Sequence, residues 1–186
     1  MLNFGKTLIV AAHPDDEVLG CGGLIAKLVN QDEQVRVIFV AEGSSCRHNA
    51  LTDEAQEEID YRNQCGIEAM KSLGVNDYYF YNLPCGRLDR EPLIEIAKII
   101  EKEIVDYEPT TILTHSRNDV HNDHKIIFKA TVQATRPVGK TVKNLLSFEI
   151  LSSSEWSYTE TFKPNVFVNI TSTIDVKINA MHCYST

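Results

Sequence analysis

Two short segments of the chain concentrate side chains that bind metals and transfer protons. The first, His13-Pro14-Asp15-Asp16-Glu17, directly follows a run of apolar residues. The second runs from His115 to His124 and holds three histidines and two aspartates within ten residues. Imidazole nitrogens and carboxylate oxygens are ligands of zinc, and catalytic zinc sites combine three of them with a position left for water. The two segments therefore predict a catalytic metal site.

The first segment suggests a division of labour between its two aspartates. His13 and Asp16 are three residues apart, so a turn that enters a helix directs both toward one point. Asp15 lies between them and is expected to point elsewhere, near the metal, where it suits a general base that deprotonates an activated water. The alternative is a plain helix start, because Pro14 and acidic residues are favoured in a first turn. That alternative leaves His13 unexplained.

The second segment offers two histidines for the remaining position. His121 and His124 are three residues apart and lie on one side of a helix that is predicted to begin near Asp119. One of them is expected to complete the ligand set, and the other is free to contact the substrate. Asp123 can bond to a histidine ring and fix its tautomer. The spacing alone does not decide which histidine binds the metal.

Both segments follow predicted strands, and in parallel α/β sheets the active site lies beyond the carboxyl ends of the strands. Strands are predicted at 7–12, 34–41, 77–81, 110–115, 144–150 and 165–170, and helices at 18–30, 53–73, 92–105 and 123–135. This alternation implies βαβ crossovers. The expected fold is α/β, a single Rossmann-like domain over residues 1–186 with a mostly parallel sheet covered by helices on both faces.

Composition limits the class of protein. A chain of 186 residues builds one core without disulfides, and its net charge of −8 speaks against a nucleic-acid partner. The five cysteines are widely spaced and include no CxxC pair, which predicts a reducing, cytoplasmic location. No apolar stretch approaches the roughly 18–20 residues that a transmembrane helix needs.

The glycines of Gly20-Cys21-Gly22-Gly23 suggest a second interpretation, a loop that holds phosphate. The segment lacks both the GxGxxG spacing and the Walker lysine of nucleotide-binding loops. Its glycines also come about one helical turn after the helix start. Close helix packing is therefore favoured over nucleotide binding.

The sequences AHPDDEVLGCGG, from Ala12 to Gly23, and THSRNDVHNDHK, from Thr114 to Lys125, together resemble the PIG-L/LmbE-like zinc-dependent deacetylases. The resemblance extends over most of the chain and includes the sequence LPCGRLD at 83–89. Family members commonly continue beyond the residue equivalent to Thr186, so the chain is expected to be either a shortened member of the family or one that lacks its C-terminal tail.

The resemblance implies one Zn²⁺ per chain and a hydrolase that removes the N-acetyl group of an N-acetylglucosamine-type substrate. It implies specific roles for eight residues: zinc binding by His13, Asp16 and His124, general base catalysis by Asp15, oxyanion stabilisation by His121 with support from Asp123, and substrate binding by Arg62 and Asp89. The expected partner is a small amino sugar or glycoconjugate, and a homo-oligomer is one possible state. Two alternatives stay open: another single-zinc metallohydrolase, such as one that cleaves a phosphoester, and a non-enzymatic domain that binds a nucleotide or sugar.

Overall fold

The computed structural model describes residues 3–136, 141–158 and 160–184. Its centre is a sheet of five parallel strands in the order β3-β2-β1-β4-β5. The strands are β1 (Thr7–Ala11), β2 (Val35–Ala41), β3 (Asp77–Leu83), β4 (Thr111–His115) and β5 (Asn144–Phe148). The helices are α1 (Asp16–Val29), α2 (Asp53–Leu73), α3 (Leu93–Tyr107), α4 (Asn122–Ala134), α5 (Leu151–Ser154) and α6 (Ile174–Met181). The predicted α/β class and parallel sheet are confirmed.

The core consists of two apolar layers, one on each face of the sheet. Successive residues of β1 point to opposite faces, as in any strand. Ile9 belongs to the layer formed with α1, α2 and α6, whereas Leu8 belongs to the layer formed with α3 and α4. All of β1 is buried, which explains why its sequence is apolar without alternation. The predicted cover of helices on both faces is therefore present.

Local signals set the ends of the longest helix, α2. The Thr52 hydroxyl accepts a hydrogen bond from the backbone N–H of Ala55, which caps the first turn. Gly74 ends the helix with a φ of 77°, the left-handed conformation that glycine adopts without strain. Among the described helices, none has the length and apolar character that a membrane span requires.

The predicted strand at 165–170 is wrong. These residues lie outside the sheet, and Phe167 is 81% exposed. Val168 instead packs against the core layer of α1, and the backbone carbonyl of Asn169 accepts a hydrogen bond from Lys27 on that helix. A short apolar run fits a segment that lies on a helix as well as one that lies in a sheet. The sequence pattern also failed to predict α6, and Thr186 lies outside the described residues.

The contact between α1 and β5 leads to a first prediction. A Cβ atom at Gly20 would lie 2.3 Å from Cδ2 of Phe148, so α1 approaches the strand where no side chain fits. The packing interpretation is thus confirmed at Gly20. We expect Gly20→Ala to lower the free energy of unfolding by about 1–3 kcal/mol, the usual cost of an overpacked core. Urea denaturation measures the change.

Gly22→Ala in the same helix is the matched control for Gly20→Ala. A Cβ at Gly22 meets nothing closer than 3.2 Å, and its neighbours are the side chains of Val18 and Lys177. Alanine also favours the helix over glycine by about 1 kcal/mol. Equal losses in the two variants would contradict a specific clash with Phe148.

Candidate active site

The two motif segments meet because their strands are neighbours. β1 pairs directly with β4, and the chain leaves both strands at the same edge of the sheet. Asp16 is the first residue of α1, and His121 immediately precedes α4. The fold thereby brings together all the residues that were predicted to bind the metal or to act beside it: His13, Asp15, Asp16, His121, Asp123 and His124.

The carboxylate of Asp16 lies at the centre of this cluster. Its Oδ2 atom is 3.3 Å from Nδ1 of His13 and 3.3 Å from Nε2 of His124, and all three residues are buried. Ligand atoms at about 2.0–2.1 Å from a tetrahedral zinc ion are separated by roughly 3.3–3.4 Å. Each of these two distances is therefore compatible with a pair of ligands on one zinc ion.

Two other histidines lie within reach of the same space. The ligand atoms of His13, His121 and His124 are within 4.8 Å of one another, and so are those of Asp16, His115 and His124. The predicted set of His13, Asp16 and His124 shares two residues with each of these groups and stays a prediction.

His115, the last residue of β4, was given no defined role by the sequence. It is fully buried, its Nε2 atom accepts a hydrogen bond of 2.8 Å from the backbone N–H of Ala12, and its ring stacks on His124 at 3.9 Å. Burial lowers the pKa of His115 to about 3, so the ring is neutral. Its place at the end of a strand beside β1 was the signal that could have marked it as a site residue.

In each of the two proposed histidine ligands, the ring nitrogen that does not face Asp16 bonds to a carboxylate. Asp119 Oδ2 lies 2.9 Å from Nδ1 of His124, and Asp123 Oδ2 lies 2.9 Å from Nε2 of His13. Burial acts to raise the pKa of Asp119, but the bond to His124 outweighs it and the pKa is lowered. Such partners fix the orientation of ligand rings. Asp119 was predicted only as a helix start.

Asp123 makes contacts that its predicted role did not include. Its carboxylate accepts hydrogen bonds from the backbone N–H groups of Gly86, at 2.6 Å, and Leu88, at 3.3 Å. The predicted partner of Asp123 was His121, whereas the hydrogen bond in the structure goes to His13. Asp123 thus connects the loop after β3 to a proposed metal ligand.

The carboxylate of Asp15 pairs with Arg62. The Oδ2 atom of Asp15 is 2.6 Å from Nη2 of Arg62, whose Nε donates to the carbonyl of Pro14 at 2.9 Å. Burial and then the charge of Asp16 raise the pKa of Asp15 to about 7, against the opposing effect of Arg62. The backbone φ of 124° at Asp15 is rare for a residue other than glycine, and such conformations cluster at functional sites.

The two predicted substrate-binding residues differ in their surroundings. Arg62 is 7% exposed and its guanidinium faces the site through Asp15. Asp89 lies in a short 3-10 turn, Leu88–Arg90, with its side chain exposed to solvent.

A buried pair behind Asp15 was missed by the sequence. Glu17 Oε1 accepts a hydrogen bond of 2.6 Å from the hydroxyl of Tyr184, and Glu17 Oε2 accepts one of 2.9 Å from the backbone N–H of Asp15. Burial raises the pKa of Glu17 to about 8. Tyr184 is 167 residues away in the chain, so no local pattern could reveal this contact.

His121 occupies the side of the cluster that faces solvent. It is half-buried, with its ring centroid 5.0 Å from that of His13 and 4.5 Å from that of His124. Burial and the neighbouring histidines lower its pKa. A neutral imidazole ring keeps one N–H donor, which is available to a group bound next to the metal ligands.

Comparisons with known proteins match the chain to a family and to solved structures of the same fold. The model of the family PIG-L, described as GlcNAc-PI de-N-acetylase, matches residues 8–135. A probable N-acetyl-alpha-D-glucosaminyl L-malate deacetylase 2 from Bacillus subtilis is 28% identical over 183 residues, which cover 96% of this chain and 81% of the relative. The 4-oxalmesaconate hydratase of Pseudomonas putida is 25% identical over 195 residues, which cover 96% of this chain and 72% of the hydratase. N,N'-diacetylchitobiose deacetylase from Pyrococcus horikoshii shares the fold, with a TM-score of 0.73 at 22% identity over 97% of this chain and 70% of that one.

Proposed function

Because this chain belongs to the PIG-L (GlcNAc-PI de-N-acetylase) family, we propose that it is a zinc-dependent hydrolase that removes the N-acetyl group of an N-acetylglucosamine-type substrate. One observation carries the proposal: Asp16 lies 3.3 Å from both His13 and His124, while Asp15 stays outside this set, paired with Arg62. Two relatives are named as deacetylases of amino-sugar substrates, which supports the same reaction class.

The proposed ligands and the carboxylates that bond to them are suited to metal binding. His13, Asp16 and His124 would hold zinc, which would supply a Lewis acid for activating water and the acetamide carbonyl. Asp123 and Asp119 hold the rings of the two histidines through their outer nitrogens. This restraint keeps the donor atoms directed at one point.

Asp15 and His121 are proposed to act on the substrate. Asp15 accepts the proton of the water that attacks the acetamide carbonyl, and Arg62 keeps its carboxylate in place. His121 donates a hydrogen bond to the carbonyl oxygen, on which negative charge develops. As the C–N bond breaks, a proton returns from Asp15 to the amine nitrogen, with His121 as the alternative donor. The products are acetate and the free amino sugar.

Substrate selection is assigned to the rim of the site. Asp89 is exposed one residue after Leu88, whose backbone N–H binds Asp123, and this position supports a role for its carboxylate in binding sugar hydroxyls. Arg62 contributes through Asp15. The expected substrates are small N-acetylated amino sugars or glycoconjugates.

Acetate release from a panel of N-acetylglucosamine derivatives tests the proposal. The protein is assayed as isolated, after chelation, and after zinc is added back, with its metal content measured each time. We expect release to be lost with the metal and restored by zinc. Release that is unchanged after complete removal of the metal would contradict a metal-dependent mechanism.

A second assay arm addresses the hydratase among the relatives. The zinc-loaded protein is incubated with 4-oxalmesaconate, an unsaturated tricarboxylate, and hydration is followed as loss of ultraviolet absorbance. We expect no turnover of this substrate. Hydration without acetate release from any derivative would overturn the proposed deacetylase and assign the same site to water addition.

A further inference from the structure

Two thiols meet where two loops border the site. Cys46 lies in the 3-10 turn Ser45–Arg47 that follows β2, and Cys85 lies just after β3. Both are free cysteines, and their Sγ atoms are 3.1 Å apart. Disulfide formation shortens such a distance to about 2.05 Å, so only a small movement separates the pair from a bridge.

Hydrogen bonds hold these two loops against each other. The buried carboxylate of Glu42 accepts bonds from the backbone N–H groups of Ser44, at 2.6 Å, and of Cys85, at 2.7 Å. Arg87 donates to the backbone carbonyl of Ser45 on the opposite loop at 3.3 Å. The two thiols are therefore kept in position by contacts other than their own, which favours an intramolecular reaction between them.

The thiol of Cys85 also lies against the proposed metal site. Its Sγ atom, a ring nitrogen of His13 and a carboxylate oxygen of Asp123 are all within 4.8 Å of one another, and the three residues are buried. The next residue, Gly86, donates to Asp123, which in turn bonds to His13. A movement of this loop would therefore change the position of Asp123 and, through it, that of His13, a proposed zinc ligand.

We propose that Cys46 and Cys85 form a redox modification site, in which a low-molecular-weight disulfide converts the two thiols to a bridge and weakens the binding of zinc through His13. Cys46 is exposed and Cys85 is buried, so Cys46 reacts first. Its thiolate attacks the small disulfide and expels one thiolate as leaving group. Cys85 loses its proton and attacks Sγ of Cys46, which expels the second. Two protein thiols and one small disulfide become one bridge and two small thiols, with both protein protons on the departing thiols.

The bridge is expected to reach zinc binding through the loop after β3. The bridge draws the loop of Cys85 toward Cys46. The hydrogen bond from the backbone N–H of Gly86 to Asp123 is then weakened. Loss of groups that hydrogen-bond to metal ligands typically lowers metal affinity about 10–100-fold. Burial and the Cys85 thiol raise the pKa of Cys46 to about 11, so the reaction is followed to equilibrium rather than by its rate.

The experiment equilibrates the full chain in glutathione buffers of increasing oxidised-to-reduced ratio, for the wild type, Cys46→Ser and Cys183→Ser. Peptide mapping without reduction should find a link between Cys46 and Cys85 in the wild type and in Cys183→Ser. Cys183→Ser is the control, because it removes a different thiol that is also partly exposed. In a chelator competition, zinc should bind about tenfold more weakly to the oxidised wild type and recover with a phosphine reductant. Zinc affinity of Cys46→Ser should not respond to oxidation.

Two results would overturn this proposal. One is that both thiols stay free, or that Cys46 carries glutathione without forming the bridge, at the most oxidising ratio. The other is an equal zinc affinity of the bridged and reduced protein, which would remove the connection to His13. The zinc part rests on the proposed function, but the peptide map does not. A reduced, zinc-loaded protein that released no acetate would count against the deacetylase alone.

Discussion

Asp15→Asn is expected to bind zinc like the wild type and to release acetate about a thousandfold more slowly, within the 10²–10⁴-fold range that proton transfer by a positioned side chain contributes. The amide cannot take the proton of the attacking water. Zinc should stay, because the carboxylate of Asp15 pairs with Arg62 at 2.6 Å and lies outside the proposed ligand set. The amide oxygen of asparagine can still accept from Arg62, so the fold should survive.

Metal content and kcat must be measured on the same preparation of Asp15→Asn. Asp32→Asn is the matched control, since Asp32 is exposed and has a φ of 58°, a conformation that asparagine tolerates. The control should keep both zinc and turnover. Near-normal turnover in Asp15→Asn would show that another group is the base.

The fold was predictable where a single local signal decided the structure. β1 is buried on both faces, so its unbroken apolar run had one interpretation. The bounds of α2 follow from Thr52 before it and Gly74 after it, and the predicted range matches the observed one. The segment at 165–170 carried a pattern that two environments satisfy, and its contact with α1 depends on the tertiary structure.

For the site, the sequence predicted which segments meet but not which side chains bond to each other. Strand ends fixed the meeting of the two motif segments, because β1 and β4 are neighbours. The partners of each side chain did not follow, since they come from distant parts of the chain. Asp123 bonds to His13, which is 110 residues away, and Tyr184 reaches Glu17 from the end of the described chain. Such contacts depend on how helices and loops pack over the sheet edge.

Asp16→Asn is expected to lose both zinc and activity, whereas Asp15→Asn should keep its zinc. The Oδ2 atom of Asp16 faces three histidines, at 3.3 Å from His13, 3.3 Å from His124 and 3.5 Å from His115. Asparagine keeps the shape but loses the charge that balances the cation. The zinc affinity should therefore fall by more than the roughly 10–100-fold typical of outer partners.

Excess zinc separates the two asparagine variants. Saturating zinc should restore part of the turnover of Asp16→Asn, whose defect is occupancy, and none of that of Asp15→Asn. Should Asp16→Asn keep stoichiometric zinc, the ion must be held by His13, His121 and His124, whose ligand atoms also lie within 4.8 Å of one another. His121→Ala then decides between the two sets. With Asp16 as a ligand it keeps zinc and loses turnover, whereas in the all-histidine set it loses both.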